Sequence, residues 1–217
     1  MDYKIMFIDE ESTQHDDFLD HFEKYWPEVK PQCEFPSQTI DEMLEKIESY
    51  HPDAVVVDFQ LNDKKEDIKY NVSYNGVELI KAICKEMLYF PCFVITSHDD
   101  DAVNDSDDVN LVYVKKNLHF SDEECGKVSF AQRVKSQVDK FHSKISSART
   151  ELSQLIKKRN EGNANIQDEE RIIELDSFLE KIYGKQNSVP SQMKTLSNID
   201  RLKTLIEKVD CLINKLD

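Results

Sequence analysis

The run Asp53-Ala54-Val55-Val56-Val57-Asp58-Phe59-Gln60-Leu61 determines the predicted fold of this chain. Its centre is four uninterrupted apolar residues, Ala54 to Val57, and an acid follows them at once. A short β-branched run of this kind is typical of a strand that is buried on both faces of a parallel sheet. Open α/β sheets bind ligands beyond the carboxyl ends of their strands, so Asp58 is a candidate site residue. The simpler interpretation is that Asp58 only ends the strand.

Three further short apolar runs also end in polar side chains. They cover residues 3–8, 90–95 and 111–114, and the side chains that follow them are Asp9, Glu10, Thr96, Ser97, Lys115 and Lys116. Helical patterns separate these runs, except across the last gap, and this alternation predicts a parallel sheet with all carboxyl ends on one edge. The acids, hydroxyl groups and lysines are therefore predicted to meet at that edge.

The order of these features along residues 1–125 resembles the receiver domain of bacterial two-component response regulators. The resemblance implies an α/β fold: a flavodoxin-like, doubly wound, five-stranded parallel sheet in the order 2-1-3-4-5. It implies that Asp58 accepts a phosphoryl group from a phosphohistidine, as an acid nucleophile does in covalent catalysis. It also implies that Thr96 donates a hydrogen bond to that phosphoryl group.

A divalent cation belongs to the same expectation. Three carboxylates this close together cannot all ionise cheaply without a cation, and Mg²⁺ prefers carboxylate, water and phosphate oxygens. The resemblance implies that Glu10 and Asp58 bind Mg²⁺ directly, that the backbone carbonyl of Gln60 adds a ligand, and that Asp9 acts mostly through water. Glu10 stands where aspartate is commoner in receiver domains, which lengthens one ligand by a methylene group.

The site lysine and the switch aromatic residue are ambiguous. Receiver domains usually have Lys-Pro after the last strand, whereas this chain has Lys115-Lys116-Asn117. Lys115 is favoured because it continues the strand directly, and the usual position of the aromatic residue is then Val112. If Lys116 is the site lysine, that position is Tyr113. The coupling of Thr96 to an aromatic residue is therefore expected to be altered or lost.

Two segments depart from the receiver pattern. Residues 62–75 are polar and charged, and we interpret them either as an enlarged active-site loop or as an insertion without a role. Residues 98–110 lack an apolar stripe, so the fourth helix of a receiver is expected to be short or missing there. This second segment holds six aspartates and predicts a solvated acidic loop; a calcium loop is the alternative, but its glycine and final glutamate are absent.

Residues 126–217 form a predicted all-α extension of three helices, at about 128–160, 168–183 and 191–216. Apolar residues recur at steps of four and three along the first helix, which predicts a heptad seam and a long helix that packs along its length. The seam residues are Val134, Val138, Phe141, Ile145, Ala148, Leu152 and Leu155. Three amphipathic helices must bury their stripes in a helical bundle, in a coiled-coil homodimer or against a partner.

Charge and composition limit the partners. Residues 1–125 carry 30 acidic and 11 basic side chains, which gives a net charge of −19 for that part and predicts no nucleic-acid binding by it. No leader or membrane-spanning pattern is apparent, so we expect a cytoplasmic protein without a membrane partner. The five cysteines are expected to be reduced, buried thiols.

Three functional hypotheses follow. The first is a response regulator, phosphorylated on Asp58 by a cognate histidine kinase or phosphotransfer protein, that signals through contacts of its helical tail with an effector or a second copy. The second is a phosphate sink or relay intermediate, for which His142 is the one tail histidine. The third is a scaffold with an unphosphorylated receiver and a dimerising coiled coil. None of the three is an enzyme in the ordinary sense.

Overall fold

The computed structural model describes residues 3–61, 67–97, 112–114 and 128–182. Five strands form one parallel sheet in the order β2-β1-β3-β4-β5. The strands are β1 (Lys4–Ile8), β2 (Lys30–Glu34), β3 (Ala54–Asp58), β4 (Cys92–Thr96) and β5 (Val112–Val114). The helices are α1 (Ser12–Tyr25), α2 (Ile40–Tyr50), α3 (Gly76–Glu86), α4 (Phe130–Asn160) and α5 (Ile166–Ile182). The predicted α/β class with a parallel sheet is confirmed.

The two faces of the sheet bury separate apolar clusters, because successive side chains of a strand point to opposite faces. Met6, Ile8, Val55, Val57 and Val94 belong to one cluster, which also contains Met43 and Ile47 of α2 and Leu79 and Ile83 of α3. The other cluster takes alternate residues of the same strands, and α1 and α4 cover it. Its members include Ile5, Phe7, Val56, Phe93, Ile95, Phe18, Phe22, Phe130 and Val134.

The chain divides into two compact units, Met1–Lys144 and Ile145–Asp217. Val134 and Val138 of α4 are fully buried in the first unit. Farther along the same helix, Ala148 joins a small cluster with Leu175 and Leu179 of α5. The predicted seam is therefore used by two different apolar clusters along one helix.

Ser12 is the first residue of α1, and Glu11 occupies the cap position without making a side-chain cap bond. The prediction that the cysteines are buried is wrong for two of those that the structure describes. Cys84 is exposed, Cys33 is half-buried and only Cys92 of the described cysteines is buried. The predicted third tail helix at 191–216 and the segment 98–110 lie outside the described residues.

Within the described ranges, every helix is too short or too polar to cross a lipid bilayer.

Candidate functional site

Four of the predicted site residues lie at the carboxyl edge of the sheet, on three neighbouring strands. The register pairs Ile8 with Val57, so Asp9, one residue beyond β1, lies level with Asp58 at the end of β3. On the other side of β3, Asp58 pairs with Ile95, which directly precedes Thr96. Adjacent strands are separated by about 4.8 Å, so these residues occupy a single rim.

The polar residues of this rim are buried. The exposed fractions are 0% for Asp9, 3% for Glu10, 5% for Asp58 and 1% for Thr96. Carboxyl groups are seldom so fully withdrawn from water unless charges or hydrogen bonds compensate them. We define these four residues as the acidic rim.

The backbone around Asp9 is held by three hydrogen bonds. Its N–H donates to the carbonyl of Glu34 at 3.3 Å, and its Oδ1 accepts from the N–H of Glu11 at 2.9 Å. The imidazole Nε2 of His15 lies 3.0 Å from the carbonyl of Asp9. These contacts fix the turn from β1 into α1, and with it the position of Glu10.

Backbone hydrogen bonds and the close approach of Gly76 hold the chain around Asp58 in place. The N–H of Phe59 donates to the carbonyl of Ile95, and the N–H of Gly76 donates to the carbonyl of Phe59, both at 2.9 Å. A Cβ atom at position 76 would lie only 2.1 Å from the carbonyl oxygen of Asp58. Only glycine therefore allows α3 to begin so close to the candidate phosphoacceptor.

The segment after β3 is an integral part of the core, which excludes the interpretation of residues 67–75 as a loose insertion. Leu61, Ile68, Val72 and Tyr74 are all buried against the α2 and α3 face of the sheet. The Tyr74 hydroxyl donates to the carbonyl of Ser37 at 2.9 Å, and burial raises the pKa of Tyr74 above its usual value.

Asp67 connects the same segment to the turn beside the acidic rim. Its Oδ2 accepts hydrogen bonds from both the N–H and the hydroxyl of Ser12, each at 2.9 Å. These bonds hold the pKa of the Asp67 carboxyl below its usual value, and they supply the helix cap that Glu11 does not provide. The first turn of α1, which follows Asp9 and Glu10, is thus capped by a residue from the segment after β3. The sequence contains no motif for this contact, since the two residues are 55 positions apart.

The remaining predicted site residues are not all at the rim. Gln60 is half-buried two residues beyond Asp58. Tyr113 pairs with Ile95, and its ring contacts Phe93 and Phe130 at centroid distances of 6.0 and 5.1 Å. This places the Tyr113 ring in the α1 and α4 cluster. Lys115 and Lys116 lie outside the described residues.

His142 has a partner that its sequence context did not predict. Its Nε2 lies 2.8 Å from Oδ1 of Asp53, the residue before the amino end of β3, and its ring stacks on Tyr3. Asp53 is at the opposite end of its strand from Asp58. His142 therefore contributes nothing to the acidic rim.

The donor chemistry of the rim suits a hard divalent cation, because its side chains offer carboxylate oxygens. Among the described residues, however, no group of three or more His, Cys, Asp or Glu side chains is arranged to hold a metal ion. The acids of the rim thus lie on neighbouring strands but do not form a complete set of metal ligands. Such a rim fits Mg²⁺, which keeps several waters and is usually held by one or two carboxylates.

No family model and no curated protein sequence matches the chain. Among solved structures, the non-phosphorylated receiver domain of the stress response regulator RcsB from Escherichia coli is similar, at 15% identity and a TM-score of 0.41, over 54% of this chain and 85% of that chain. A signal receiver domain of an HD domain-containing protein from Pseudomonas fluorescens Pf-5 is 15% identical with a TM-score of 0.44, over 66% and 91% of the two chains. A response regulator receiver domain from Methylobacillus flagellatus is 16% identical with a TM-score of 0.36, over 54% and 87%. Because these TM-scores lie below 0.5, the inference of function rests on the acidic rim.

Proposed function

We propose that residues 1–125 form a receiver domain and that Asp58 accepts a phosphoryl group from a histidine kinase or a phosphotransfer protein. The observation that carries the proposal is the level placement of Asp9 and Asp58 on neighbouring strands, with Thr96 on the next strand and all three side chains buried. A strand end without a functional role does not need three buried carboxyl groups at one edge of the sheet.

The transfer is a simple displacement. A carboxylate oxygen of Asp58 attacks the phosphorus atom, the P–O bond forms, and the P–N bond of the phosphohistidine breaks. The leaving imidazole takes a proton from solvent. Thr96 would donate a hydrogen bond to the transferred group, and Lys115 or Lys116 would neutralise part of its charge. The hydrogen bonds around Phe59 and Gly76 keep the Asp58 backbone from moving during the attack.

Mg²⁺ would be held by Glu10, Asp58 and the backbone carbonyl of Gln60, with Asp9 acting mostly through water. When bound, the ion supplies positive charge to the phosphoryl oxygens as negative charge develops on them. Asp9 is suited to an indirect role because its Oδ1 already accepts the N–H of Glu11.

The helical extension, residues 126–217, is proposed as the output element. One uninterrupted helix, α4, continues from the unit that holds the sheet into the unit that contains α5. Phe130, at the start of α4, contacts both Tyr113 and Phe93. A conformational change in β5 would therefore act directly on the first turn of α4. We expect the output to be a contact with a protein effector or a second copy of the chain.

Acetyl phosphate with Mg²⁺ tests the phosphoacceptor. The full chain should gain one phosphoryl group, seen as a shifted band on a phosphate-affinity gel and as an increase in intact mass. Asp58→Asn should abolish the shift, and Asp41→Asn, at an exposed position of α2, should keep it. A shift that persists in Asp58→Asn, or wild-type protein that never shifts, contradicts the proposal.

Light scattering with and without beryllofluoride separates a switch from a phosphate sink. A change of mass, or of affinity for an effector, is expected of a switch. A protein that is phosphorylated on Asp58 without any such change acts as a sink or relay intermediate.

A further inference from the structure

The turn between β1 and α1 is held by hydrogen bonds on three successive peptide units. The carbonyl of Asp9 lies 3.0 Å from Nε2 of His15, and the N–H of Glu11 donates to Oδ1 of Asp9 at 2.9 Å. The N–H of Ser12 donates to Oδ2 of Asp67 at 2.9 Å. The first two contacts are local, whereas Asp67 belongs to the segment after β3, 55 positions from Ser12 along the chain.

We propose that Asp67 is a positioning residue for the cation site of the acidic rim. By holding Ser12, the Asp67 carboxylate fixes the turn that contains Glu10, and it thereby sets the affinity of the rim for Mg²⁺. In this role Asp67 acts through the backbone and not as a metal ligand. The inference rests on the proposed function, because it concerns the ion that the rim would hold.

The position of Asp67 is itself fixed by the packing of its own segment. Ile68, the next residue, is 2% exposed, and Val72 is 3% exposed. The hydroxyls of Tyr70 and Tyr74 donate to backbone carbonyls at 2.6 and 2.9 Å, and both carbonyls belong to the connection from β2 to α2. A carboxylate on a backbone that is already ordered loses little conformational freedom when it binds the turn, so the contact is not offset by a large entropic cost.

The contact with Ser12 is of the kind that stabilises the start of a helix. Oδ2 of Asp67 accepts from both the N–H and the hydroxyl of Ser12, and α1 begins at Ser12. The N–H groups of a first helical turn have no partner within the helix, and a negative charge beside them is favourable. Loss of the Asp67 carboxylate should therefore loosen the first turn of α1 and the residues directly before it, which include Glu10.

The size of the effect follows from metal sites in general. Removing a partner that orients a metal ligand without touching the metal typically weakens metal binding by about 10–100-fold. Asp67 acts through Ser12 and the backbone, so we expect the lower end of this range. A nearby negative charge also attracts a cation through space, and this is the competing explanation. Asp67→Asn separates the two, because the amide keeps an acceptor oxygen but carries no charge.

The first experiment measures binding of Mg²⁺ alone. The ion is titrated into the isotope-labelled full chain without a phosphoryl donor, and the amide resonance of Phe59, next to Asp58, gives the dissociation constant. Asp67→Ala should bind Mg²⁺ about tenfold more weakly than wild type, and Asp67→Asn should stay within about threefold. Both variants are expected to fold, since position 67 is exposed. Asp20→Ala, which removes an exposed acid from α1, is the matched control and should bind as wild type does.

Two results of this titration would overturn the proposal. Wild-type affinity in Asp67→Ala would show that the contact with Ser12 does not affect the cation site. An equal loss in Asp67→Ala and Asp67→Asn would assign the effect to charge and not to the hydrogen bonds.

The second experiment separates positioning of the ion from a general loss of stability. In Asp67→Ala, the Mg²⁺ concentration for half-maximal phosphorylation by acetyl phosphate should rise about tenfold, while the rate at saturating Mg²⁺ stays within about twofold of wild type. His21→Phe, which lowers stability from farther along α1, should leave the half-maximal concentration unchanged. A lowered saturating rate with an unchanged half-maximal concentration in Asp67→Ala, or a similar rise in His21→Phe, would contradict the proposal.

Glu10→Gln and Asp58→Asn distinguish a failure of this inference from a failure of the proposed function. If wild type does not bind Mg²⁺, or if these two variants bind it as tightly as wild type, the acidic rim is not the cation site and both proposals fail. If these variants lose Mg²⁺ while Asp67→Ala retains it, the rim holds the ion and the inference about Asp67 alone fails.

Discussion

The backbone N–H of Ala131 donates a hydrogen bond to Nε2 of His21 at 3.3 Å, although 110 positions separate the two residues. Ala131 is in the first turn of α4, where helical N–H groups have no partner within the helix. His21, on α1, is only 4% exposed and supplies that partner. An acceptor nitrogen carries no proton, so His21 is neutral with its proton on Nδ1. The contact joins the two helices that cover one face of the sheet.

Replacing this histidine tests the contact. His21→Phe keeps an aromatic ring but leaves the buried N–H of Ala131 without its acceptor, which should lower the free energy of unfolding by about 1–3 kcal/mol. Urea unfolding followed by circular dichroism measures the loss. Glu23→Ala, at an exposed position of the same helix, should stay within about 0.5 kcal/mol of wild type. His21→Phe with an unchanged unfolding midpoint would show that the bond contributes nothing.

Two glycines distinguish steric crowding from backbone strain. In Gly76→Ala the new methyl group meets the Asp58 carbonyl, so we expect a loss of about 1–3 kcal/mol and slower phosphorylation by acetyl phosphate. Gly162 has a φ of +77° and open space around it, so Gly162→Ala should cost about 1–2 kcal/mol through strain alone. It should leave the phosphorylation rate unchanged. Equal effects of both variants on phosphorylation would refute the steric explanation.

The contact between Asp67 and Ser12 should make stability depend on pH. Because the pKa of the Asp67 carboxyl is lower in the folded chain, the carboxylate stabilises the fold above the unfolded pKa, about 4. That contribution is lost as the pH falls through the folded pKa. Thermal unfolding of Asp67→Asn should therefore begin below wild type at pH 7 and converge with it below about pH 4. Asp20→Asn, exposed on α1, is the control and should not show this convergence.

Tyr74→Phe isolates one hydrogen bond in the segment after β3. The hydroxyl is buried and donates to the carbonyl of Ser37, so its loss should cost about 0.5–1.5 kcal/mol. Tyr89→Phe removes a hydroxyl from a ring that is 59% exposed and should change stability by less than about 0.5 kcal/mol. Equal urea midpoints for Tyr74→Phe and wild type would indicate that the segment is not held by this bond.

The spacing of apolar residues predicted the strands and helices well, because positions that are buried in the fold are apolar in the sequence. The four apolar residues before Asp58 are fully buried in β3, and Asn75 and Glu78, three residues apart, form a capping box at the start of α3. The heptad pattern from Val134 onward likewise predicted a single long helix, which the structure shows as α4. For each of these elements, the residues within the segment were sufficient to predict its secondary structure.

Contacts between distant polar groups could not be predicted in this way. The first turn of α1 is capped by Asp67, which lies 55 positions from Ser12 along the chain. The same is true of His21 with Ala131 and of His142 with Asp53. A polar side chain has no periodic signature, and its partner is decided only when the strands and helices are in place.

By itself, the sequence determined which segments are strands and helices, and which side chains end the strands, since both depend on neighbours along the chain. The tertiary structure decided that Asp9 lies level with Asp58 and that Gly76 packs against the backbone carbonyl of the candidate phosphoacceptor. The physical reason is that register and packing depend on the simultaneous burial of both faces of the sheet, which no single stretch of sequence encodes.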